Sequence, residues 1–178
     1  MEVAVVFESL FGNTRKVAEA VAEGIRSATP EAHVRVVPVA EAAPEEVRGA
    51  DLLVVGGPTH ILRTTTTRTR QQGVMSVRRA RATAPPVALE PGAEGPGVRE
   101  WLGELPEARP RQRAAAFDTR LAGPLSGGAA RSIGRELRRH GYRVVDSPSG
   151  FVVRGGQGPL RAGELDRART WGASLPTR

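Results

Sequence analysis

Residues 3–14, VAVVFESLFGNT, decide how the rest of the chain is read. Val3–Phe7 is a short apolar run of β-branched and aromatic residues, the pattern of a strand buried on both faces. It halts at Glu8-Ser9. From Gly12-Asn13-Thr14 onward, Val17, Val21 and Ile25 recur every fourth position, which is one face of a helix. A strand that passes through a glycine- and hydroxyl-bearing turn into a helix is a ready anion site. The first helical N–H groups lack intrahelical partners, and the helix dipole places partial positive charge there. Ser9 and Thr14 offer hydroxyl donors, Asn13 an amide, and Gly12 close backbone approach; one phosphate fits that set. An ordinary β–α turn capped by Asn13 or Gly12 accounts for the same residue types. The functional reading is favoured by the turn's position, on the first strand of an alternating β/α chain, and by two further loops. Neither G-x-x-x-x-G-K-[ST] nor G-x-G-x-x-G follows this strand.

Working outward, Pro30 breaks the pattern after a helix over about 14–27. Residues 33–39, HVRVVPV, alternate as an outer strand would, and Pro38 suits an edge. Residues 43–48 form a short acidic helix candidate with Pro44 in its first turn. Residues 51–57, DLLVVGG, read as a second fully buried strand ending in the loop Pro58-Thr59-His60-Ile61-Leu62-Arg63. Residues 64–67 are four threonines. Residues 63–81 carry Arg63, Arg68, Arg70, Arg78, Arg79 and Arg81 with no acid, and Pro85, Pro86, Pro91 and Pro96 follow. Part of 71–82 reads as helical; the whole stretch of about 62–97 is expected to be a long loop that serves as a lid or a partner surface or is partly disordered. Residues 97–105, GVREWLGEL, end a helix that crosses the sheet, with Trp101 as packing anchor. Residues 113–117, RAAAF, are a strand of small residues that implies close helix packing, and lead into the third loop, DTRLAGPLSGG over 118–128. The next helix has Ser126 as candidate N-cap, apolar Ala130, Ile133 and Leu137, outward Arg131, Arg135, Arg138 and Arg139, and Gly141 as its stop. Residues 142–145 and 150–153, split by Ser147-Pro148, read as one interrupted strand, and 160–174 as a final helix.

Strands alternating with helices argue for a parallel sheet covered on both faces by right-handed crossovers. Ligands in such sheets sit beyond the carboxyl ends of the strands where strand order reverses. With the first strand central, the three loops share one rim. A single domain over 1–178 is expected, with the long loop about 62–97 within it. The chain has no cysteine, which excludes disulfides, thiolate catalysis and Cys-ligated metal or iron–sulfur sites. A cytoplasmic location follows from an N-terminus that enters strand pattern at once and from the lack of a long apolar run. Net charge is +7, uneven along the chain: residues 1–60 carry 5 basic and 9 acidic side chains, residues 61–178 carry 21 and 10. Nucleic acid is set aside as a partner because no recognition motif accompanies the arginines and aromatics are scarce. An acidic partner or substrate remains open. His33, His60 and His140 lack metal-ligand spacing, His140 reads as a helix-end cap, and no catalytic constellation is visible.

Ser9-Leu10-Phe11-Gly12-Asn13-Thr14 resembles the phosphate loop of flavodoxins: a hydroxyl residue, any residue, a hydroxyl residue, Gly, any residue, Thr. Gly57-Pro58-Thr59-His60 resembles their second flavin loop, and Phe117-Asp118-Thr119-Arg120 stands where their third would be. The resemblance covers nearly the whole chain in order of elements. It implies a three-layer flavodoxin-like sandwich with a five-stranded parallel sheet in order 2-1-3-4-5, and a site for FMN. The phosphate would rest on residues 9–14 (Ser9, Leu10, Phe11, Gly12, Asn13, Thr14). The ring would lie between Pro58, Thr59, His60 and Ile61 and Phe117, Asp118, Thr119 and Arg120. Flavodoxins carry single electrons, and related quinone reductases run two-electron chemistry at the same site. A redox partner protein or a small-molecule electron acceptor is implied, no membrane, and a homodimer is left open. Phe11 stands where a second hydroxyl is common, which removes one hydrogen bond worth about 1 kcal/mol, or roughly fivefold in affinity. In place of the usual stacking Trp or Tyr these loops offer His60, which would lie against the ring or hydrogen-bond it, or is a solvent-facing loop residue. Asp118 reads as an Arg120 partner or a turn cap. The alternative is a flavin-free chain of this fold acting as a binding or scaffold module, or as a cofactor-independent enzyme.

Overall fold

Apolar runs flanked by glycine, proline and hydroxyl residues set out the strands, and their period of two divides the core. The computed structural model describes residues 1–60, 63–64, 89–91, 95–123 and 128–177. β1 (Glu2–Phe7) lies between the edge strand β2 (His33–Pro38) and β3 (Leu52–His60), parallel to both. β5 (Arg113–Leu121) pairs in parallel with β3, and β6 (Arg143–Val144) and β7 (Ser149–Val153) pair in parallel with β5. The sheet order is therefore the expected 2-1-3-4-5, with the interrupted last strand present as two pieces. One extra strand, β4 (Arg63–Thr64), turns back antiparallel on the end of β3.

Side chains alternate across this sheet. Val3, Val5, Phe7, Leu52, Val54, Ala115 and Phe117 face α1 (Asn13–Ala28) and α4 (Glu164–Ser174). Ala4, Val6, Leu53, Val55, Ala114 and Ala116 face α2 (Val98–Gly103) and α3 (Ala129–Arg139). Each fully buried Val or Leu contributes about 1.5–3 kcal/mol of transfer free energy. Trp101 is 3% exposed, and its indole N–H donates to Ala42 O at 2.6 Å, so it anchors packing as expected. Close packing over the small strand is also found, since Gly134 of α3 lies above Ala116.

Some bounds differ from the sequence reading. The short acidic helix is a 3-10 turn, Pro44–Gly49. The last helix starts at Glu164 rather than 160, because Leu160 is held in a bridge with Val153 and Gly163 takes a left-handed φ of 82°. The four-threonine run beyond Thr64, the helix expected within 71–82, most of the stretch 62–97, Ile61 and Ser126 lie outside the described residues.

Candidate functional site

Six of the seven buried polar or charged residues among those described gather at one rim: Glu8, Ser9, Asn13, Thr14, Asp118 and Thr119. Buried polar groups need partners and oppose folding without them, so their concentration at the carboxyl ends of β1 and β5 marks a functional rim.

The first loop is built by the end of β1. Gly12 takes φ 81°, a left-handed conformation that favours glycine, and begins α1. The first intrahelical bond runs from Lys16 N–H to Gly12 O at 3.1 Å, so the N–H groups of Asn13, Thr14 and Arg15 stand ahead of the ladder. No side chain caps this 16-residue helix, and its first turn holds no acid. The Ser9 hydroxyl accepts from Gly12 N–H at 3.1 Å and fixes the turn. Leu10 is buried, and Phe11 is half-buried beside it.

The second and third loops are partly strand. Pro58, Thr59 and His60 extend β3, and Phe117-Asp118-Thr119-Arg120 extend β5 with the pairs Gly57↔Asp118 and Pro58↔Thr119. The three stretches meet. The Thr14 and Thr119 hydroxyls lie 2.8 Å apart, which ties the first loop to the third. Thr59 Oγ1 accepts from Ala129 N–H at 3.1 Å, and Asp118 Oδ2 accepts from Ala130 N–H at 2.9 Å. Side chains from β3 and β5 thus cap α3 from outside it, in the place expected of Ser126.

Asp118 is fully buried, and Oδ1 has no hydrogen-bond partner among the described residues. Arg120 Nε lies 3.8 Å from that oxygen. Burial pushes the Asp118 carboxyl above its ordinary value, against the opposing pull of the Ala130 N–H, the Arg120 charge and the Thr59 hydroxyl. Phe117 points its ring away from the rim, edge-on to Phe151 and Trp171 at 6.2 Å each. Its main chain alone remains at the rim.

Several contributors were not singled out in the sequence. Glu8 is buried and its Oε2 accepts from Val98 N–H at 2.9 Å, which joins β1 to α2. Gln157 O accepts from the Asn13 amide at 3.0 Å, so a turn after β7 leans on the first loop. Glu90 donates its N–H to Leu10 O at 3.1 Å and pairs with Arg15. A signal for Glu90 existed, since it is the first acidic residue after Asp51.

No family model matches the chain. A flavodoxin of Aquifex aeolicus (strain VF5) is 47% identical over 60 residues, covering 34% of this chain and 32% of that protein. The chain matches about a third of that relative's length. Among solved structures, a flavodoxin from the domain Archaea superposes with a TM-score of 0.64 at 19% identity, covering 99% of this chain and 97% of that one. Oxidised flavodoxin 2 from Bacillus cereus gives 0.64 at 12% identity, with 99% of each chain covered. The flavodoxin of Streptococcus pneumonia TIGR4 gives 0.63 at 14%, again with 99% of each covered.

The chain has a flavodoxin-like fold. The flavodoxin-like sheet places its carboxyl rim where the six buried polar residues lie. An anion suits the first loop on its geometry: a glycine in the left-handed region, amides ahead of the helical ladder, a basic residue in the first turn and no side-chain cap. Among the described residues, no helix of this flavodoxin-like chain is long and apolar enough to cross a membrane.

Proposed function

We propose that this chain binds FMN and works as a redox protein, either an electron carrier or a small flavin-dependent reductase. The observation that carries the reading is the uncapped start of α1 behind Gly12, at the carboxyl end of β1 and beside the buried polar rim. In this reading the amides of Asn13, Thr14 and Arg15, with the Thr14 hydroxyl, hold the phosphate, and Ser9 keeps the turn in shape. Pro58, Thr59, His60 and Ile61 border the ring on one side and the main chain of 117–120 on the other. When bound, the flavin supplies electron transfer in one- or two-electron steps. The chain's own part is to orient it, exclude water and set the local charge. Burial holds the Asp118 carboxyl above its ordinary value, and the Arg120 guanidinium 3.8 Å from Oδ1 offsets its negative charge near the ring. The excess of arginine beyond residue 60 suits a redox partner protein or acceptor with acidic groups.

The test is direct. The purified chain should be yellow, or FMN titrated into it should lose fluorescence with saturation at micromolar concentrations. A colourless chain that leaves FMN fluorescence unchanged well above that range rules the reading out. One observation favours a second reading, a flavin-free binding module: the side chains of Asn13 and Thr14 already have protein partners. That reading expects a colourless protein whose association with an acidic partner weakens with salt.

A further inference from the structure

We propose that Glu90 is a built-in competitor for the anion seat: its carboxylate rests against the first loop, and a ligand phosphate takes its place and its arginine. The inference rests on the FMN reading for the ligand's identity only. Its geometry is independent of it.

Three contacts carry the proposal. Glu90 N–H donates to Leu10 O at 3.1 Å, so the main chain of 89–91 straps the loop. The Glu90 carboxylate pairs with Arg15, the third residue of α1, and both side chains are largely covered, at 21% and 34% exposure. Glu90 Oε1 lies 3.1 Å from where a β-carbon on Gly12 would stand, over the glycine that opens the backbone to an anion. Yet no side chain caps α1, so Glu90 stands beside the turn's amides without taking them. An uncapped helix start attracts negative charge, and among the described residues the Glu90 carboxylate is the one that lies over Gly12. Arg15 is further steadied by the Phe7 ring, 5.3 Å from its guanidinium carbon, and can turn from one anion to another without leaving its place. Glu8, the other carboxylate in this cleft, is committed to Val98 N–H and is not the competitor.

A phosphate arriving at Gly12 meets a like charge, so the seat opens only when Glu90 swings away from Gly12 and releases Arg15. Arg15 then becomes a ligand of the phosphate, with a charge-assisted bond in exchange for its ion pair. The strap makes affinity for phosphorylated ligands lower than the loop alone would give, and leaves affinity for an unphosphorylated analogue unaffected.

The experiment compares the flavin-stripped wild-type chain with Glu90→Gln, which keeps the main-chain bond to Leu10 and nearly the same shape. The first arm adds inorganic phosphate and follows the backbone amide resonances of Gly12 to Arg15. The second arm titrates FMN and riboflavin by fluorescence quenching. The expected result is a phosphate midpoint about tenfold lower in Glu90→Gln, the size of one charge-assisted bond. FMN affinity should rise by a similar factor, and riboflavin affinity should stay as it was. Should Glu90→Gln lose its dispersed amide spectrum, Glu90→Asp replaces it; its retracted carboxylate gives a smaller shift in the same direction. An unchanged phosphate midpoint, or no response to phosphate in either chain, overturns the competitor role whatever the flavins do. A lowered phosphate midpoint without uptake of either flavin upholds the competitor and removes the FMN reading. Tight FMN with an unchanged phosphate midpoint does the reverse.

Discussion

Asp118 shows how one side chain can set a pH response. Its Oδ2 accepts from Ala130 N–H, while Oδ1 is buried with Arg120 Nε 3.8 Å away. Burial raises its carboxyl above 3.8, so the folded chain holds a proton there that the unfolded chain has already lost. Stability from this group is therefore full below the unfolded value and is lost as pH rises through the folded one. Asp118→Asn keeps an acceptor for Ala130 and removes the dependence. Its Tm relative to wild type should climb as pH rises above the ordinary carboxylate range, read by calorimetry; a difference that stays flat with pH refutes the account. Much of the site was legible at this scale. Ser9, Gly12, Asn13 and Thr14 betray themselves because a turn before a helix needs those residue types, and Asp118 does cap a turn and face Arg120. Glu8, Glu90 and Gln157 were hidden, because each acts on a partner far away in sequence and carries no local pattern.

At the scale of elements, α1 and α4 meet backbone to backbone. A β-carbon on Gly24 would stand 2.0 Å from Arg169 O, and one on Gly172 would stand 2.2 Å from Val21 O. Alanine at Gly172 gains about 1 kcal/mol of helix propensity but drives the helices apart, for an expected net loss of about 2–3 kcal/mol. That corresponds to a Tm lower by roughly 4–12 °C. Gly103, with nothing within 4 Å, is the control: its alanine variant should unfold within a degree or two of wild type. The element order was readable because unbroken apolar runs mark β1 and β3 and helical apolar spacing marks α1 and α3. β4 was not, since two residues have no period. Nor were the ends of β3 and β5, where Gly-Pro-Thr and Asp-Thr read as turns while their ladder partners lie on each other.

For the whole molecule, binding and folding are linked. A ligand that binds only the folded chain adds about 2.7 kcal/mol at one hundred times its dissociation constant, which moves Tm up by roughly 5–10 °C. FMN should produce that rise in a thermal melt, riboflavin less at equal concentration, and a melt indifferent to FMN contradicts the proposed function. The joins that shape the seat are also long in sequence. Asn13 is held by Gln157, Thr14 by Thr119, and α4, residues 164–174, packs backbone to backbone along α1. During synthesis the first loop leaves the ribosome early and waits for everything that positions it. In the proposed reading FMN loading is therefore a late event: a nascent chain that has not yet released α4 has the loop's letters but no pocket to offer.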